Sequence, residues 1–384
     1  MSVEPWTIIS IDDHLIEPEG TWTSRVSAKY KDRCPQVVRN PTGEGWNWQY
    51  DGNLFPFNGL QCVVGQDSAD WSTVADDFES LHAGCYDSQK RLADLDAAGV
   101  VGSLCFPTMP GFGATWINRT DDHELAYESI RAFNDFVLDE WCAAAPGRYI
   151  PLVIMPHWDT ALAAKEMKRT ADRGARAIAF SERPHQQGYA SLFDKDHYWD
   201  PFFHAAVENG LTICCHIGSS SKIDAPSDAN YMDFMSVTWM NAPYSMTEYI
   251  LSETFDRVPD LKVVYSEASI GWIPFILQTM NRYYANHSAW TKYGLKNRPS
   301  EYFGKNVFGA FIEDPFGASL IGTHLSVEAV MAEVDYPHTD SIFPDVQKVI
   351  QDQVPHLTPE QEYLIRRGNA ERVFNFVPSG IGQR

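Results

Sequence analysis

Apolar and polar positions follow one repeating order along this chain. A charged segment with helical periodicity closes on a glycine, and a short, nearly continuous apolar run comes next. The order recurs in RLADLDAAGVVGSLCF (91–106), KEMKRTADRGARAIAF (165–180) and FHAAVENGLTICCH (203–216). Gly99, Gly174 and Gly210 fit the left-handed residue that ends a helix. The apolar runs suit strands buried on both faces of a parallel sheet. Alternating helix and strand predicts an α/β architecture. Eight runs are predicted strands: 6–12, 100–106, 149–156, 176–182, 211–218, 261–267, 306–313 and 329–336. Eight βα units fit a closed (β/α)8 TIM barrel better than an open sheet, and residues 1–384 read as one such domain.

Two stretches depart from this order. Residues 19–90 hold GEGWNWQYDGNLFPFNG, rich in aromatics and turn residues. They read as an insertion after the first strand, partly helical and partly a small β-hairpin. Loops on that face of a barrel build its active site, so Trp46, Trp48, Tyr50, Phe55 and Phe57 would form a lid or pocket wall. A satellite hydrophobic cluster under a long loop explains them equally well. Residues 340–384 are expected to add C-terminal helices outside the barrel. There Thr358, Pro359 and Gln361 have the spacing of an N-cap, a first helical residue and a capping box.

Composition narrows the function classes. The chain of 384 residues is 44% hydrophobic and 13% aromatic, enough for a large core, with a net charge of −21. That charge argues against nucleic acid or an anionic membrane as partner. Seven cysteines without a CxxC pair read as those of a reduced, cytoplasmic protein, with adjacent Cys214 and Cys215 as buried thiols. The N-terminus lacks the basic region and apolar run of a signal peptide. No apolar stretch approaches the length of a transmembrane helix.

The chemistry collects where polar residues end the strands. These ends carry Asp12, Asp13 and His14, then His157, Ser181 and Glu182, His216, Ser266 and Glu267, and finally Asp335 with His338 close behind. In a parallel barrel they share one rim. Side chains alternate along a strand, so Asp12 and His14 point the same way and Asp13 the other. Asp12, His14, His216 and Asp335 form a mixed nitrogen and oxygen donor set. It suits zinc, manganese or iron and disfavours magnesium or calcium. A buried Asp also needs a partner for its charge, which a metal supplies. Glu17 is either a brace at the rim or a donor for a second ion. Glu182 and His157 are further candidates for a second ion or for supporting the ligands, and a hydrogen-bonded core role suits His157 as well. Arg183 is placed to bind a substrate carboxylate or to form an ion pair, with Trp46 and Trp48 as candidate substrate contacts.

The DxHxxEP start, AVENGLTICCHIG (206–218), EASIGWIP (267–274), DYPH (335–338) and GNAERVF (368–374) together resemble the amidohydrolase superfamily. The resemblance is to the branch containing aminocarboxymuconate-semialdehyde decarboxylase and γ-resorcylate decarboxylase. It spans roughly residues 7–376 and implies a distorted TIM barrel with a metal at its C-terminal face. Carried over, the strand-1 pair falls on Asp12 and His14, the strand-5 His on His216 and the strand-8 Asp on Asp335. The strand-1 pair is Asp-x-His here where the branch often has His-x-His. Glu267 stands where decarboxylases often carry a strand-6 histidine. No lysine ends strand 4, so a carbamate-bridged pair of metals is not expected.

The expected function is metal-assisted chemistry on a small carboxylate-bearing molecule, by hydrolysis of an amide or lactone or by nonoxidative decarboxylation. Asp335, Glu267 and His338 are the expected catalytic residues. An O2-dependent hydroxylase with one or two iron or manganese ions is an alternative reading of the same donors. A metal-binding subunit of a hetero-oligomeric enzyme is another. A homo- or hetero-oligomer is expected in either case.

Overall fold

Each glycine that closes a charged segment adopts left-handed backbone. Gly99, at φ +72°, follows the helix Ser88–Ala98, and its N–H donates to Asp96 O at 3.2 Å. Gly174 and Gly210 have positive φ as well. The computed structural model describes residues 7–75, 78–220 and 222–379.

In chain order the strands are β1 (Ile8–Leu15), β2 (Gln36–Arg39), β3 (Trp46–Tyr50), β4 (Asn53–Pro56), β5 (Val100–Pro107), β6 (Tyr149–Ile150), β7 (Leu152–Val153), β8 (Ala177–Phe180), β9 (Thr212–His216), β10 (Val263–Ser266), β11 (Val307–Phe311) and β12 (Val330–Ala332). Parallel pairing runs β1-β5-β6 and then β7-β8-β9-β10-β11-β12. β6 and β7 are one run broken at Pro151, which has no N–H for the ladder. The Pro151 carbonyl still accepts from the N–H groups of Arg176 and Ala177 at 3.0 and 3.3 Å. The other gap lies between β12 and β1. There Asp335 N–H donates to Asp12 O and His14 N–H to Tyr336 O, each at 2.7 Å. Those bonds close a (β/α)8 barrel. Every residue of β5, β8, β9 and β11 is buried, as expected of strands covered on both faces.

The first predicted strand began at residue 6, which lies outside the described residues. The last was expected to run to residue 336. β12 instead ends at Ala332, and Asp335 sits beyond it in a turn at φ +57°. All seven cysteines are buried with free thiols. Among the described residues no helix is long and apolar enough to cross a membrane.

Residues 36–56 form a three-stranded antiparallel sheet, β2-β3-β4, where a hairpin was expected. Trp48, Tyr50 and Phe57 are buried, and the Trp48 ring packs against Trp22 at 5.8 Å and Phe57 at 5.7 Å. At the C-terminal end, Thr358 caps the helix Pro359–Tyr363. Its Oγ1 accepts from Gln361 N–H at 3.3 Å, and Gln361 Oε1 accepts from Thr358 N–H at 3.0 Å.

Candidate metal centre

The seam that closes the barrel also gathers the acidic and imidazole side chains. β1 carries one more residue than β5 between its pairings Ser10↔Ser103 and Asp13↔Cys105, a bulge in the strand. Bulges re-aim side chains beside active sites. Here Asp12 and His14 both turn to the centre. Asp13 is buried apart from them, accepting from the hydroxyls of Ser103 and Ser10 and from Tyr336 N–H. Burial pushes its carboxyl up to about 6, against the pull of the nearby Arg91 guanidinium.

His14 Nε2 lies 3.5 Å from Asp12 Oδ1, 3.1 Å from Asp335 Oδ1 and 3.2 Å from His216 Nε2. His216 Nε2 is 3.4 Å from Asp12 Oδ2 and 2.9 Å from Glu267 Oε2. His216 Nδ1–H donates to Ile217 O at 2.6 Å, which leaves the Nε2 lone pair facing the carboxylates. His338 stacks on His14 with ring centroids 3.5 Å apart, and its Nδ1 is 3.3 Å from Asp335 Oδ1. Asp12, His14, His216 and Asp335 are fully buried. Glu267 and Asp335 both sit on left-handed backbone, at φ +57°. Such backbone in residues other than glycine is uncommon and clusters at functional sites.

Burial raises the carboxyl of Asp12 well above its usual range, and the charges of Glu333, Asp335 and Glu267 raise it further. Asp335 is raised likewise, by burial and then by Glu267. Burial holds the imidazoles of His14 and His338 low. Both oxygens of Asp12, both of Asp335, Nδ1 of His14 and Nε2 of His338 lack a hydrogen-bond partner among the described residues. Buried polar atoms left this way are costly. A cation would satisfy the carboxylates and the facing imidazole nitrogens together, so the donor set fits zinc, manganese or iron. Two groups of residues could hold an ion: Asp12, His14, His216 and Glu267, and His14, Glu267, Asp335 and His338.

The remaining candidates lie elsewhere. Glu17 accepts the N–H groups of Thr108 and Met109, one on each oxygen at 3.0 Å. With both oxygens engaged it braces the loop after β5, and burial pushes it up to about 7. Glu182 is buried and raised well above its usual range, but it belongs to neither donor group. His157 is boxed by the rings of Phe180, Tyr189 and Trp199, and burial lowers it to about 3. Arg183 donates to Glu248 from Nε and Nη2, at 3.0 and 2.7 Å, and lies over the Tyr244 ring. Trp46 lies under the Arg39 guanidinium, and Trp48 is in the core. Neither tryptophan nor Arg183 lines the cavity beside the cluster.

That cavity, of about 470 Å3, runs from His216, Glu267 and His338 past Phe112, Trp116, Phe234 and Gln61. Three features were not anticipated. Phe112 and Trp116 come from PGFGATW, directly after β5, where an aromatic loop at a strand end was a readable signal. Glu333 accepts Glu267 N–H at 3.0 Å and holds that strand end in place. Its position two residues before Asp335 was also readable. Buried Arg91 donates to His14 O and Gly84 O, and nothing in its helical pattern marked it.

A closed parallel barrel with buried imidazoles and carboxylates gathered at its C-terminal rim defines a class of metal-dependent barrel enzymes. Residues 81–376 match the family model described as amidohydrolase, and the chain belongs to that family. It is 24% identical over 257 residues to γ-resorcylate decarboxylase of Rhizobium sp. (strain MTP-10005), covering 63% of this chain and 73% of the relative. An amidohydrolase of Mycobacterium avium subsp. paratuberculosis K-10 shares the fold, with a TM-score of 0.77 at 19% identity over 97% of this chain and 100% of its own. So does 5-carboxyvanillate decarboxylase of Novosphingobium aromaticivorans, complexed with manganese and 4-hydroxy-3-methoxy-5-nitrobenzoic acid. Its TM-score is 0.60 at 21% identity, over 76% of this chain and 81% of its own.

Proposed function

We propose that this chain catalyses nonoxidative decarboxylation of a small aromatic carboxylic acid, with a divalent transition metal held at the barrel seam. The observation that carries the reading is a set of buried, unpartnered carboxylates and imidazoles opening into an aromatic-walled cavity. Two of the relatives are decarboxylases of hydroxylated benzoic acids, and one of these is complexed with manganese and a nitrobenzoic acid. Phe112, Trp116 and Phe234 offer flat apolar surfaces for a ring.

Asp12, His14, His216 and Asp335, together with Glu267, are the residues that would hold the metal. A divalent ion held there would offset the buried negative charge and supply Lewis-acid contact to the substrate carboxylate. The carbon–carbon bond to the carboxyl group breaks, its electron pair stays on the ring, and CO2 leaves. A proton must then reach the vacated ring carbon. Asp335 faces His338 Nδ1 at 3.3 Å, and Nε2 of the same ring has no hydrogen-bond partner among the described residues. His338, on the cavity wall with its Nδ1 facing Asp335, is the group placed to deliver that proton, which solvent resupplies.

The test is a panel of 2-hydroxybenzoic acids incubated under nitrogen with the manganese-loaded protein. Release of CO2 and the matching phenol is expected, with deuterium at the vacated carbon in D2O. A strict need for O2, or turnover of amides and lactones but of no acid in the panel, would overturn the reading.

A further inference from the structure

The cavity is polar at both of its ends. Its floor is fully buried at His216, its walls are half-buried at Phe112 and Trp116, and its rim carries exposed Arg119 with half-buried Asn58 and Gln61. We propose that this rim binds a second carboxylate of the substrate, so that the aromatic acid taken by this chain is a dicarboxylate whose outer acid group meets Arg119. The proposal rests on the aromatic-acid reading above and adds the class of acid.

Charge supports it. Arg119 is the one lysine or arginine among the described residues of the cavity lining. Its guanidinium has no hydrogen bond, ion pair or ring contact among the described residues. Elsewhere the arginines are engaged: Arg183 pairs with Glu248, and Arg33 with Asp51 and Asp122. In a chain of net charge −21, an arginine left without a carboxylate beside a cavity is a ready partner for an anionic ligand. The planar fork of a guanidinium matches a carboxylate with two parallel hydrogen bonds.

Local structure aims the group. Ile117–Arg119 is a turn of 3-10 helix, and Arg119 N–H donates to Trp116 O at 3.2 Å. Side chains three residues apart in such a turn eclipse one another, so Arg119 projects over the face that Trp116 presents to the cavity. Phe55 of β4 stacks on Trp116 with ring centroids 5.1 Å apart and fixes that face. The same insertion supplies the two amides. Asn58 Oδ1 accepts Leu60 N–H at 3.0 Å, which leaves its Nδ2 hydrogens as donors. Gln61 Oε1 is buried without a hydrogen-bond partner among the described residues.

Size agrees. Pockets of ~300–1,000 Å3 take drug-sized ligands, and this one, at about 470 Å3, has room beyond a single unsubstituted ring. A ring lying along Phe112 and Trp116 with one carboxylate at the His216 end points its opposite edge toward the rim.

The experiment is calorimetric binding to the manganese-loaded full chain of 2-hydroxyterephthalate, whose second carboxylate lies opposite the first, and of 2-hydroxybenzoate, which lacks it. The dicarboxylate is expected to bind about tenfold more tightly or better, with the advantage shrinking as sodium chloride is raised. Arg119→Gln should remove that advantage and leave 2-hydroxybenzoate within about twofold. Arg119→Lys should keep part of it. Arg282→Gln, which alters an exposed arginine outside the cavity lining, should keep all of it. Equal affinity for the two acids in the unaltered protein would overturn the proposal. So would an equal weakening of both acids by Arg119→Gln, or loss of the advantage in Arg282→Gln. Preferential binding of the dicarboxylate through Arg119 without release of CO2 would uphold the rim site and overturn the decarboxylase reading.

Discussion

Replacing Asp12 by Asn should have opposite effects on the metal-free and the metal-loaded protein. Asp12 is fully buried, and its two oxygens have no hydrogen-bond partner among the described residues. Its ligating oxygen lies within 4.8 Å of that of Glu267, where two charges repel by ~3.5 kcal/mol at an effective dielectric constant near 20. Without metal, part of this repulsion is relieved by proton uptake, because the folded-state pKa lies above the unfolded value of 3.8. The folded protein then binds more protons than the unfolded chain above that value, so stability is lost as pH rises from there. Asp12→Asn removes one charge and should stabilise the chelated protein at neutral pH by about 1–3 kcal/mol. With metal present the sign reverses. A ligand at 100 times its dissociation constant stabilises the native state by about 2.7 kcal/mol, and the variant should lose most of that gain. The assay is urea unfolding of both proteins with chelator and with manganese. The reasoning is refuted if the variant is less stable than the parent under chelation and still responds fully to manganese.

Other substitutions probe the surroundings. His157 has a folded pKa of about 3, below the unfolded value, so its contribution is full above the unfolded pKa and is lost as pH falls. His157→Leu should abolish a fall of about 2 kcal/mol between pH 7 and pH 5, measured by urea unfolding at both. Glu17→Ala strands the N–H groups of Thr108 and Met109; it should cost about 2–4 kcal/mol, seen as a lower Tm. Arg183→Ala breaks the pair with Glu248, yet should leave KM within about twofold, since Arg183 does not line the cavity. Trp116→Ala removes a cavity wall and should raise KM by about tenfold, with a smaller change in kcat.

How far the fold was legible follows from where the chain is regular. All eight barrel strands were readable because short apolar runs, three of them introduced by helix-ending glycines, require nothing more than local pattern. The same topology placed Asp12, His14, His216, Glu267, Asp335 and His338 on one rim, although 323 residues separate Asp12 from Asp335. Contacts made by aromatic and cationic side chains were less legible. Trp46, Trp48 and Arg183 were natural choices for a pocket, but each found a partner close by: Arg39, the Trp22 and Phe57 rings, and Glu248. Composition does not say which of several neighbours a large side chain will pack against.

The cluster itself shows why alternation was a sufficient guide at its start and an insufficient one at its end. The period-two rule assumes an undistorted strand. β1 departs from it by one residue between Ser10 and Asp13, and β12 stops before Asp335 is reached. What aligns the two sides is the seam, where Asp335 N–H meets Asp12 O and His14 N–H meets Tyr336 O. The backbone groups that close the barrel therefore belong to the residues, or their direct neighbours, whose side chains face one another across it. Closure and placement of these candidate donors are one event, and a change that opens the seam displaces both halves of the set together. The left-handed backbone at Glu267 and Asp335 fits this arrangement. An aimed carboxylate is retained in a conformation that costs about 1–3 kcal/mol only where its surroundings hold it there. For Glu267 that hold includes the Glu333 carboxylate, which accepts its N–H. For Asp335 it is the seam itself.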